Sequence, residues 1–349
     1  MVKISTDMYF LISFISALLL IFLEKKYSLG GDNNTGEQKF HNGSIPRTGG
    51  FALAISFLAF IFFENNIFLK NIYIPIILTV ILMGIEDLKG NIPPALRLVL
   101  LFLFSSLLIY NMNIGINSLN IPGLDFLLEN FYFSFIFTLL AVILLSNGFN
   151  MIDGFNGLLG GYTLLIFLGM IQLSSTIANE EILELSQFMI SIILGFIILN
   201  FPFGKIFLGD SGAFLLALLS SSIVLKLIYS SESISYWFAL SVFIYPVYEV
   251  VFSIIRKKFF FKARPMYPDS FHLHMVIHRV LVNCDKYTNE VYCNSLTSLI
   301  LLTLNIIPLV ISFVFFDQEL ILFLNTLLFM FIYTAIYLSL LKIDKKFSS

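Results

Sequence analysis

Residues 131–158 read FYFSFIFTLLAVILLSNGFNMIDGFNGL, an apolar run that leads directly into a polar, glycine-rich block. A helix needs roughly 17–25 mostly apolar residues to cross a bilayer core of about 30 Å. Comparable apolar runs recur along the chain and lack the alternation of a transmembrane β-barrel. They predict an all-α polytopic membrane protein, a bundle of about 10–11 transmembrane helices. The predicted spans lie near residues 8–23, 50–69, 71–85, 95–111, 126–146, 157–173, 184–201, 211–229, 236–254, 295–316 and 319–341.

The composition of the whole chain excludes several classes of protein. Of 349 residues, 58% are hydrophobic and 12% are charged, whereas soluble globular proteins have roughly 45–50% and about 25%. No soluble fold hides this much apolar surface, so secreted, cytosolic and disordered proteins are excluded. A formal net charge of −2 offers no basic surface for nucleic acid. The two cysteines, Cys284 and Cys293, form no CxxC pair that would indicate a disulfide framework or a zinc ribbon.

The distribution of Lys and Arg predicts how the chain crosses the membrane. Most of the 20 basic residues fall on alternate connections, which include the long polar loops 24–49 and 255–294, while the opposite connections are acidic. Because cytoplasmic loops carry the excess of Lys and Arg, we predict an N-terminus outside and a cytoplasmic C-terminus. The first apolar run has no small-residue cleavage site after it, so we expect an uncleaved span in a single integral membrane domain over residues 1–349.

Five polar segments interrupt the apolar pattern, and the predicted topology places all of them at the cytoplasmic surface. An Asp in the middle of a membrane costs about 2.5–3.5 kcal/mol, so polar blocks between apolar spans require an explanation. The segments are residues 41–50 (HNGSIPRTGG), 84–94 (GIEDLKGNIPP), 147–158 (NGFNMIDGFNGL), 203–213 (FGKIFLGDSGA) and 267–279 (YPDSFHLHMVIHR).

The first two segments place charged groups at helix ends. Consecutive glycines in residues 41–50 let a ligand approach the backbone closely, and the Arg47 guanidinium suits phosphate oxygens. A polar loop that precedes a helix is the simpler interpretation. The adjacent carboxylates of Glu86 and Asp87 oppose the dipole of a helix C-terminus and repel each other. They therefore require a compensating cation, which Lys89 alone could supply.

The third and fourth segments add further polar groups. Asn147, Asn150, Asp153 and Asn156 recur every three residues, which puts them near one face if the segment is helical. A polar contact between helices is the alternative. Asp210 lies between glycines at the start of an apolar span, where it is either a site residue or a helix N-cap.

The last segment carries three histidines, His272, His274 and His278. The second and third would share one helix face, a spacing compatible with zinc if Asp269 served as a further ligand. Solvated surface histidines are the simple alternative. We favour histidines that bind an anion or handle a proton, because no thiolate lies nearby in the sequence.

Together these segments predict a site for magnesium and a pyrophosphate. Magnesium prefers a few carboxylates and substrate phosphate oxygens, while basic groups neutralise the remaining phosphate charge. Phosphoryl transfer needs positioning and charge stabilisation more than covalent help from the protein. The charged residues assembled on this side are Glu86, Asp87, Asp153, Asp210, Arg47, Lys89, Lys205 and Arg264, together with the three histidines.

The five segments resemble, in order, the motifs of the polyprenyl-phosphate N-acetylhexosamine-1-phosphate transferases, and the resemblance spans essentially the whole chain. The matching residues are Pro-Arg-x-Gly-Gly at 46–50, Glu-Asp at 86–87 for an Asp-Asp pair, Asn-x-x-Asn-x-x-Asp-Gly at 147–154, Phe-Leu-Gly-Asp-Ser-Gly at 207–212 and Asp-x-x-His-x-His at 269–274. The resemblance implies that a lipid phosphate attacks the β-phosphorus of a UDP-N-acetylhexosamine, giving a lipid-pyrophosphate-sugar and UMP. It also implies a requirement for Mg²⁺, with Mn²⁺ as a substitute.

The resemblance implies a location, partners and residue roles. The site would face the cytoplasm from a bacterial inner membrane, with loops 24–49 and 255–294 contributing to it. The partners would be a UDP-N-acetylhexosamine and polyprenyl (undecaprenyl) phosphate, and a homodimer is left open. The implied roles are catalysis by Asp87, Asp153, Asp210 and His272; metal binding by Asp210, Asp153, Asp87 and Glu86; nucleotide-sugar binding by Asn147, Asn150, Asn156, Lys205, Arg264, His272 and His274; and lipid-phosphate binding by His41, Arg47 and Lys89.

Some positions depart from the family pattern. Glu86 replaces the first Asp of a pair, Asn156 replaces an Asp, and Glu249 stands where an Asp is expected. The late motif reads His-Leu-His-Met and lacks the triple His of the phospho-N-acetylmuramoyl-pentapeptide transferases. We therefore expect the other branch, which serves O-antigen, teichoic-acid-type or related glycans. An inactive homologue and a membrane transporter are the alternatives, although transporters place ionisable groups near the bilayer midplane.

Overall fold

The computed structural model describes residues 6–27, 31–32, 45–64, 66–90, 92–259, 271–284 and 290–348. Within these ranges the chain is almost entirely helical. The elements are α1 (Thr6–Tyr27), β1 (Gly31–Asp32), β2 (Ile45–Pro46), α2 (Gly49–Phe63), α3 (Ile67–Lys89), α4 (Pro94–Met112), α5 (Leu124–Leu128), α6 (Phe131–Ile152), α7 (Leu158–Thr176), α8 (Glu180–Asn200), α9 (Gly209–Ser230), α10 (Trp237–Val242), α11 (Ile244–Phe259), α12 (Leu273–Cys284), α13 (Glu290–Val314) and α14 (Glu319–Ser348). The two short strands pair antiparallel.

Nine helices in the described part of the chain are long and apolar enough to cross a membrane, which confirms the prediction of an all-α polytopic membrane protein. Large apolar side chains on the outside of the bundle, such as Phe22, Phe62 and Phe331, are 60%, 79% and 72% exposed. Such a surface is unfavourable in water and favourable in lipid. The nine helices are α1, α3, α4, α6, α7, α8, α9, α13 and α14.

The boundary between the second and third predicted spans lies earlier than expected. The span predicted at 50–69 corresponds to α2, which has only 15 residues, and the span predicted at 71–85 corresponds to the 23-residue α3. Asn66 sets the new boundary, because its side chain accepts the Leu69 N–H at 2.9 Å and so caps α3. At the other end of α3, Gly90 takes the left-handed conformation that terminates helices.

The span predicted at 236–254 is broken at Phe243 into α10 and α11. Pro246 has no N–H to donate to the Val242 carbonyl, four residues earlier, so a continuous helix would leave that carbonyl without a partner. The Tyr162 hydroxyl donates to it instead, at 2.7 Å. The break is therefore stabilised by a side chain from α7.

Helix α9 lies at the centre of the bundle, against α2, α3 and α6. Small residues let its neighbours approach closely, as is common between membrane helices. A Cβ on Gly50 of α2 would collide with the backbone of Gly212. The only residues of α9 that are not buried are Asp210, Lys226, Tyr229 and Ser230. The partly exposed Asp210 therefore marks the N-terminal end of the central helix.

Two buried asparagines join the α6–α7 turn to the loop after α8. The Asn200 Oδ1 accepts the Gly157 N–H at 2.6 Å, and its Nδ2 donates to the Ile206 carbonyl at 2.8 Å. The Asn156 Nδ2 donates to the Pro202 carbonyl at 3.0 Å. These bonds hold both loops beside the start of α9.

Replacing Asn200 by Ala should lower the stability of the fold. The substitution leaves the buried Gly157 N–H and Ile206 carbonyl without their partners, which costs about 1–3 kcal/mol for each unsatisfied group. We expect N200A to unfold several degrees below the wild type in detergent, measured by intrinsic fluorescence. N147A is the matched control, since Asn147 is exposed and, among the described residues, its side chain donates only to Ile143 of its own helix. Equal unfolding midpoints for N200A and the wild type would contradict this assignment.

Candidate active site

Two of the polar segments, distant in sequence, form one unit through their backbones. The Gly49 N–H donates to the Phe207 carbonyl at 2.9 Å, and the Gly50 N–H donates to the Leu208 carbonyl at 2.8 Å. Gly209, the next residue, has a φ of +74°, and a Cβ there would lie 2.6 Å from the Arg47 carbonyl oxygen. The glycines of both segments therefore allow the start of α2 and the start of α9 to meet.

Asp87 of α3 caps the N-terminus of α9. Its Oδ1 accepts the Asp210 N–H and its Oδ2 accepts the Ser211 N–H, each at 2.9 Å. The positive end of a helix dipole favours such an anion. The Asp87 side chain is 1% exposed, so its position is fixed by the packing around it. The N-cap interpretation of Asp210 is therefore wrong, because Asp210 lies inside the first turn and Asp87 supplies the cap.

Two arginines surround the Asp210 carboxylate. Arg47 Nη2 lies 3.0 Å from Asp210 Oδ1 and 3.6 Å from Asp87 Oδ1, and Arg97 Nη1 lies 3.5 Å from Asp210 Oδ2. Both arginine side chains are more than one third exposed. They form the accessible side of the cluster, where an anionic ligand could replace the aspartate as their partner. Arg97 lies outside the five polar segments and was not predicted as a site residue.

Asp153 lies close enough to this cluster to interact with it electrostatically. Burial raises the pKa of Asp153 to about 7, the Arg47 guanidinium lowers it, and the carboxylates of Asp210 and Asp87 raise it. The Asp153 carboxylate accepts no hydrogen bond from the residues that the structure describes. Three aspartates from α3, the α6–α7 turn and α9 therefore converge at one end of the bundle.

The polar stripe predicted on a single helix face does not continue to its end. Helix α6 stops at Ile152, so Asn147 and Asn150 lie in its last turns while Asn156 lies in the following turn. Asn156 is buried, and its side chain holds the neighbouring loop at Pro202. In the structure, the Asn156 amide therefore connects the α6–α7 turn to the loop after α8.

The histidine helix α12 packs directly against the α6–α7 turn. A Cβ on Gly154 would lie 3.2 Å from His274 Nε2, and the Phe155 ring contacts the rings of both His274 and His278. His274 is fully buried, neither of its ring nitrogens has a hydrogen-bond partner among the described residues, and burial lowers its pKa to about 3. The His272 ring stacks on it at 5.5 Å. His274 is therefore a neutral ring against Gly154 and Phe155, the two residues that follow Asp153.

The donor set suits magnesium better than zinc. Among the described residues, no group of three or more His, Cys, Asp or Glu side chains could hold a metal ion by itself. Magnesium needs only one or two carboxylates, because substrate phosphates and water complete its shell. The carboxylate of Asp153, to which none of the described residues donates, and the partly exposed carboxylate of Asp210 are hard oxygen donors of this kind. Glu86 is engaged elsewhere, since its Oε2 accepts the Ile92 N–H at 3.0 Å.

The family model described as "Glycosyl transferase family 4" matches residues 71–228 of this chain, which supports the similarity that the motifs indicate. An undecaprenyl-phosphate alpha-N-acetylglucosaminyl 1-phosphate transferase from Thermotoga maritima is 30% identical over 270 residues, which cover 76% of this chain and 78% of the relative. The chain belongs to glycosyl transferase family 4.

Two further relatives are similar over different shares of the chain. A probable undecaprenyl-phosphate N-acetylglucosaminyl 1-phosphate transferase from Bacillus subtilis is 25% identical over 284 residues, covering 78% of this chain and 76% of the relative. A phospho-N-acetylmuramoyl-pentapeptide-transferase from Leuconostoc mesenteroides is 35% identical, but over 43% of this chain and 46% of the relative. The similarity thus covers more of the chain for the N-acetylglucosaminyl 1-phosphate transferases than for the phospho-N-acetylmuramoyl-pentapeptide-transferase, in agreement with the branch expected from the late histidine motif.

The structure places the remaining predicted residues of this family 4 member as follows. Lys89 and Lys205 are exposed, and Asn150 is half-buried near the end of α6. His41, Arg264 and Asp269 lie outside the described residues, so their predicted roles stay predictions.

Proposed function

We propose that this protein transfers an N-acetylhexosamine 1-phosphate from its UDP derivative to a polyprenyl phosphate and releases UMP. The observation that carries the proposal is the convergence of Asp87, Asp153 and Asp210 with Arg47 and Arg97 at one end of a membrane-spanning bundle. Such a cluster suits a reaction between two phosphate groups, one of them on a lipid. The names of the relatives from Thermotoga maritima and Bacillus subtilis support the same acceptor and sugar.

The residues of the site divide into two sets in this proposal. Asp153 and Asp210 would hold Mg²⁺, which when bound neutralises charge on the diphosphate of the donor. Arg47 and Arg97 exchange their contacts with Asp210 for contacts with phosphate oxygens. Asp87 keeps the first turn of α9 in place. His272, His274, Asn147 and Asn150 stay proposed contacts of the nucleotide sugar.

The acceptor phosphate needs little activation in this scheme. A phosphate monoester has a second pKa of about 6, so the attacking oxygen is largely ionised at neutral pH. A bond forms between this oxygen and the β-phosphorus, and the bond from the β-phosphorus to the bridging oxygen of UMP breaks. Detection of a covalent phosphoaspartate would contradict direct attack.

The proposed location is a bacterial inner membrane, with the site on the cytoplasmic side. The end of the bundle that carries the aspartates also carries Arg47, Lys89, Arg97 and Lys205, and basic residues accumulate on the cytoplasmic side of membrane proteins. Labelling of single introduced cysteines from either side of intact cells tests this orientation.

One assay tests the proposed function. Purified protein is incubated with undecaprenyl phosphate and a panel of UDP-sugars, and released UMP is measured with Mg²⁺, with Mn²⁺ and with EDTA. We expect release with a UDP-N-acetylhexosamine only when the lipid is present, loss in EDTA, and recovery on adding Mg²⁺. A folded protein that releases no UMP with any UDP-sugar would be an inactive homologue, and solute uptake without UMP release would favour the transporter.

Arg97→Ala should weaken binding of the lipid phosphate. A hydrogen bond to a charged group contributes about 1.5–3 kcal/mol, so we expect the KM for undecaprenyl phosphate to rise roughly 10–100-fold. K89A separates the predicted contact of Lys89 from that of Arg97, because Lys89 is exposed and, among the described residues, only Arg47 and Arg97 pair with Asp210. K226A is the control, since Lys226 pairs with Glu181 near the opposite end of α9. A larger effect of K89A than of R97A would overturn the assignment.

A further inference from the structure

A buried carboxylate on α11 holds the first histidine of the late motif. His272 Nδ1 lies 2.9 Å from Glu249 Oε1, and the Tyr333 hydroxyl donates to Glu249 Oε2 at 2.6 Å. The backbone N–H of Leu273 also donates to Glu249 Oε1, at 3.4 Å. The Glu249 side chain is 1% exposed and that of His272 is 5% exposed. A charged group so deeply buried is costly unless it is paired, so this arrangement requires an explanation.

The surroundings fix the carboxylate from several sides. The Tyr333 ring packs edge-on against Tyr248, and the Tyr248 hydroxyl hydrogen bonds to Thr334. The His272 ring lies parallel to that of His274, which in turn contacts Gly154 beside Asp153. Glu249 is therefore connected through His272 to the aspartate cluster, although it is separated from the cluster itself.

We infer that Glu249 is a positioning residue, which orients His272 toward the diphosphate of the nucleotide sugar and sets the proton position on its ring. This inference rests on the proposed function. A carboxylate oxygen can only accept, so its partner Nδ1 must carry a proton. The ring can then bind a phosphate oxygen through Nε2 only as the imidazolium, whose charge the buried carboxylate balances. Tyr333 donates to the second oxygen of Glu249 and so keeps the carboxylate from rotating.

Substitution of Glu249 by Gln tests the proton position with little change in volume. The Tyr333 hydroxyl can still donate to the amide oxygen, which turns the amide N–H₂ toward His272 Nδ1. That nitrogen must then accept, so the ring can offer Nε2–H only as the neutral tautomer and without the carboxylate that orients it. We expect kcat/KM for UDP-N-acetylglucosamine to fall about 10–100-fold, the loss found when the carboxylate that orients a metal-binding histidine is removed. The KM for undecaprenyl phosphate should stay within about twofold of the wild type.

A double-mutant cycle separates positioning from a purely structural role. H272A should cost at least as much as E249Q, and E249Q should cost nothing further in the H272A background. E249D keeps the acceptor and should recover part of the activity lost in E249Q. Y333F should lower kcat/KM several-fold, whereas Y337F, the same change one turn later on α14, should leave it unchanged. The Tyr337 hydroxyl accepts from Arg256 Nη1 at 3.4 Å, whereas it is the Tyr333 hydroxyl that donates to Glu249.

The outcomes distinguish this inference from the proposed function. Additive losses in the double mutant, or an equal rise in the KM of both substrates, would overturn the positioning role while leaving transfer intact. If E249Q or H272A does not fold, the Y333F and Y337F pair decides, and equal activity of these two variants would overturn the inference. If the wild type releases no UMP, calorimetric binding of UDP-N-acetylglucosamine replaces the rate. Binding of UDP-N-acetylglucosamine that is weaker in E249Q than in the wild type, but no weaker in the double mutant than in H272A, would then support the positioning role of Glu249 without supporting the proposed function.

Discussion

Replacing Asp210 by Asn is expected to reduce UMP release by a factor on the order of 10³, the effect seen when an essential electrostatic group is removed from an active site. The substitution keeps the size of the side chain and removes its charge. Arg47 and Arg97 lose the anion that they share at 3.0 Å and 3.5 Å, and the proposed metal loses a hard oxygen ligand. UMP release at saturating UDP-N-acetylglucosamine measures the effect.

The matched control for D210N is Asp125→Asn, the same chemical change at α5. Asp125 accepts the Leu119 N–H at 2.7 Å and the Ser118 hydroxyl at 3.0 Å, and it is not among the charged groups that act on Asp87 or Asp153 in the described part of the chain. We expect D125N to retain nearly full activity. Both variants should elute as single peaks in detergent with unfolding midpoints near that of the wild type. A folded D210N protein with more than about a tenth of wild-type activity would remove Asp210 from the catalytic site.

The apolar pattern was sufficient to predict most of the bundle, because a bilayer imposes a minimum length on each helix. The pattern could not reveal the break at Phe243. A proline in the first turn of a helix, like Pro246 in α11, is compatible with helix formation. Whether the helix starts there depends on Tyr162, which reaches the freed carbonyl of Val242 from another part of the chain.

The motifs were sufficient to predict the aspartates as site residues. They could not predict the contacts that hold these aspartates in place. Adjacent helical residues point about 100° apart, so only one of Glu86 and Asp87 could face α9. The sequence alone does not say which one. Arg97 was missed because it belongs to none of the segments. A signal was present, since a cation in the first turn of α4 opposes the helix dipole and requires an anion, which Asp210 supplies.

Glu249 was identified from the sequence only as a departure from the family pattern. The reason is again that its contacts come from distant parts of the chain. Its partners His272 and Tyr333 lie 23 and 84 residues away along the chain. Hydrophobic periodicity reports which face of a helix is buried, but not which polar groups from other helices meet there.

Gly209→Ala should abolish most of the activity through geometry alone. Gly209 has a φ of +74°, and an added Cβ would lie 2.6 Å from the Arg47 carbonyl oxygen and 2.7 Å from Asp87 Oδ2. Neither is the end of a flexible side chain on an open surface, so the first turn of α9 must move away from the carboxylate that caps it. Misplacement of reacting groups by about 1 Å can cost on the order of 100-fold in rate. We therefore expect at least this loss in UMP release, with Asp210 itself unchanged.

Gly90→Ala provides the matched control, because it adds the same methyl group at a similar backbone conformation. The φ of Gly90 is +61°, but among the described residues no atom beyond its own chain neighbours lies within 4 Å of the position that its Cβ would take. The strain of a left-handed alanine, about 1–2 kcal/mol, is thus common to both variants. Only G209A adds the collision with Arg47 and Asp87. If G90A and G209A lose activity equally, backbone strain explains the effect, and the close packing of the α9 terminus against Asp87 is not what the reaction requires.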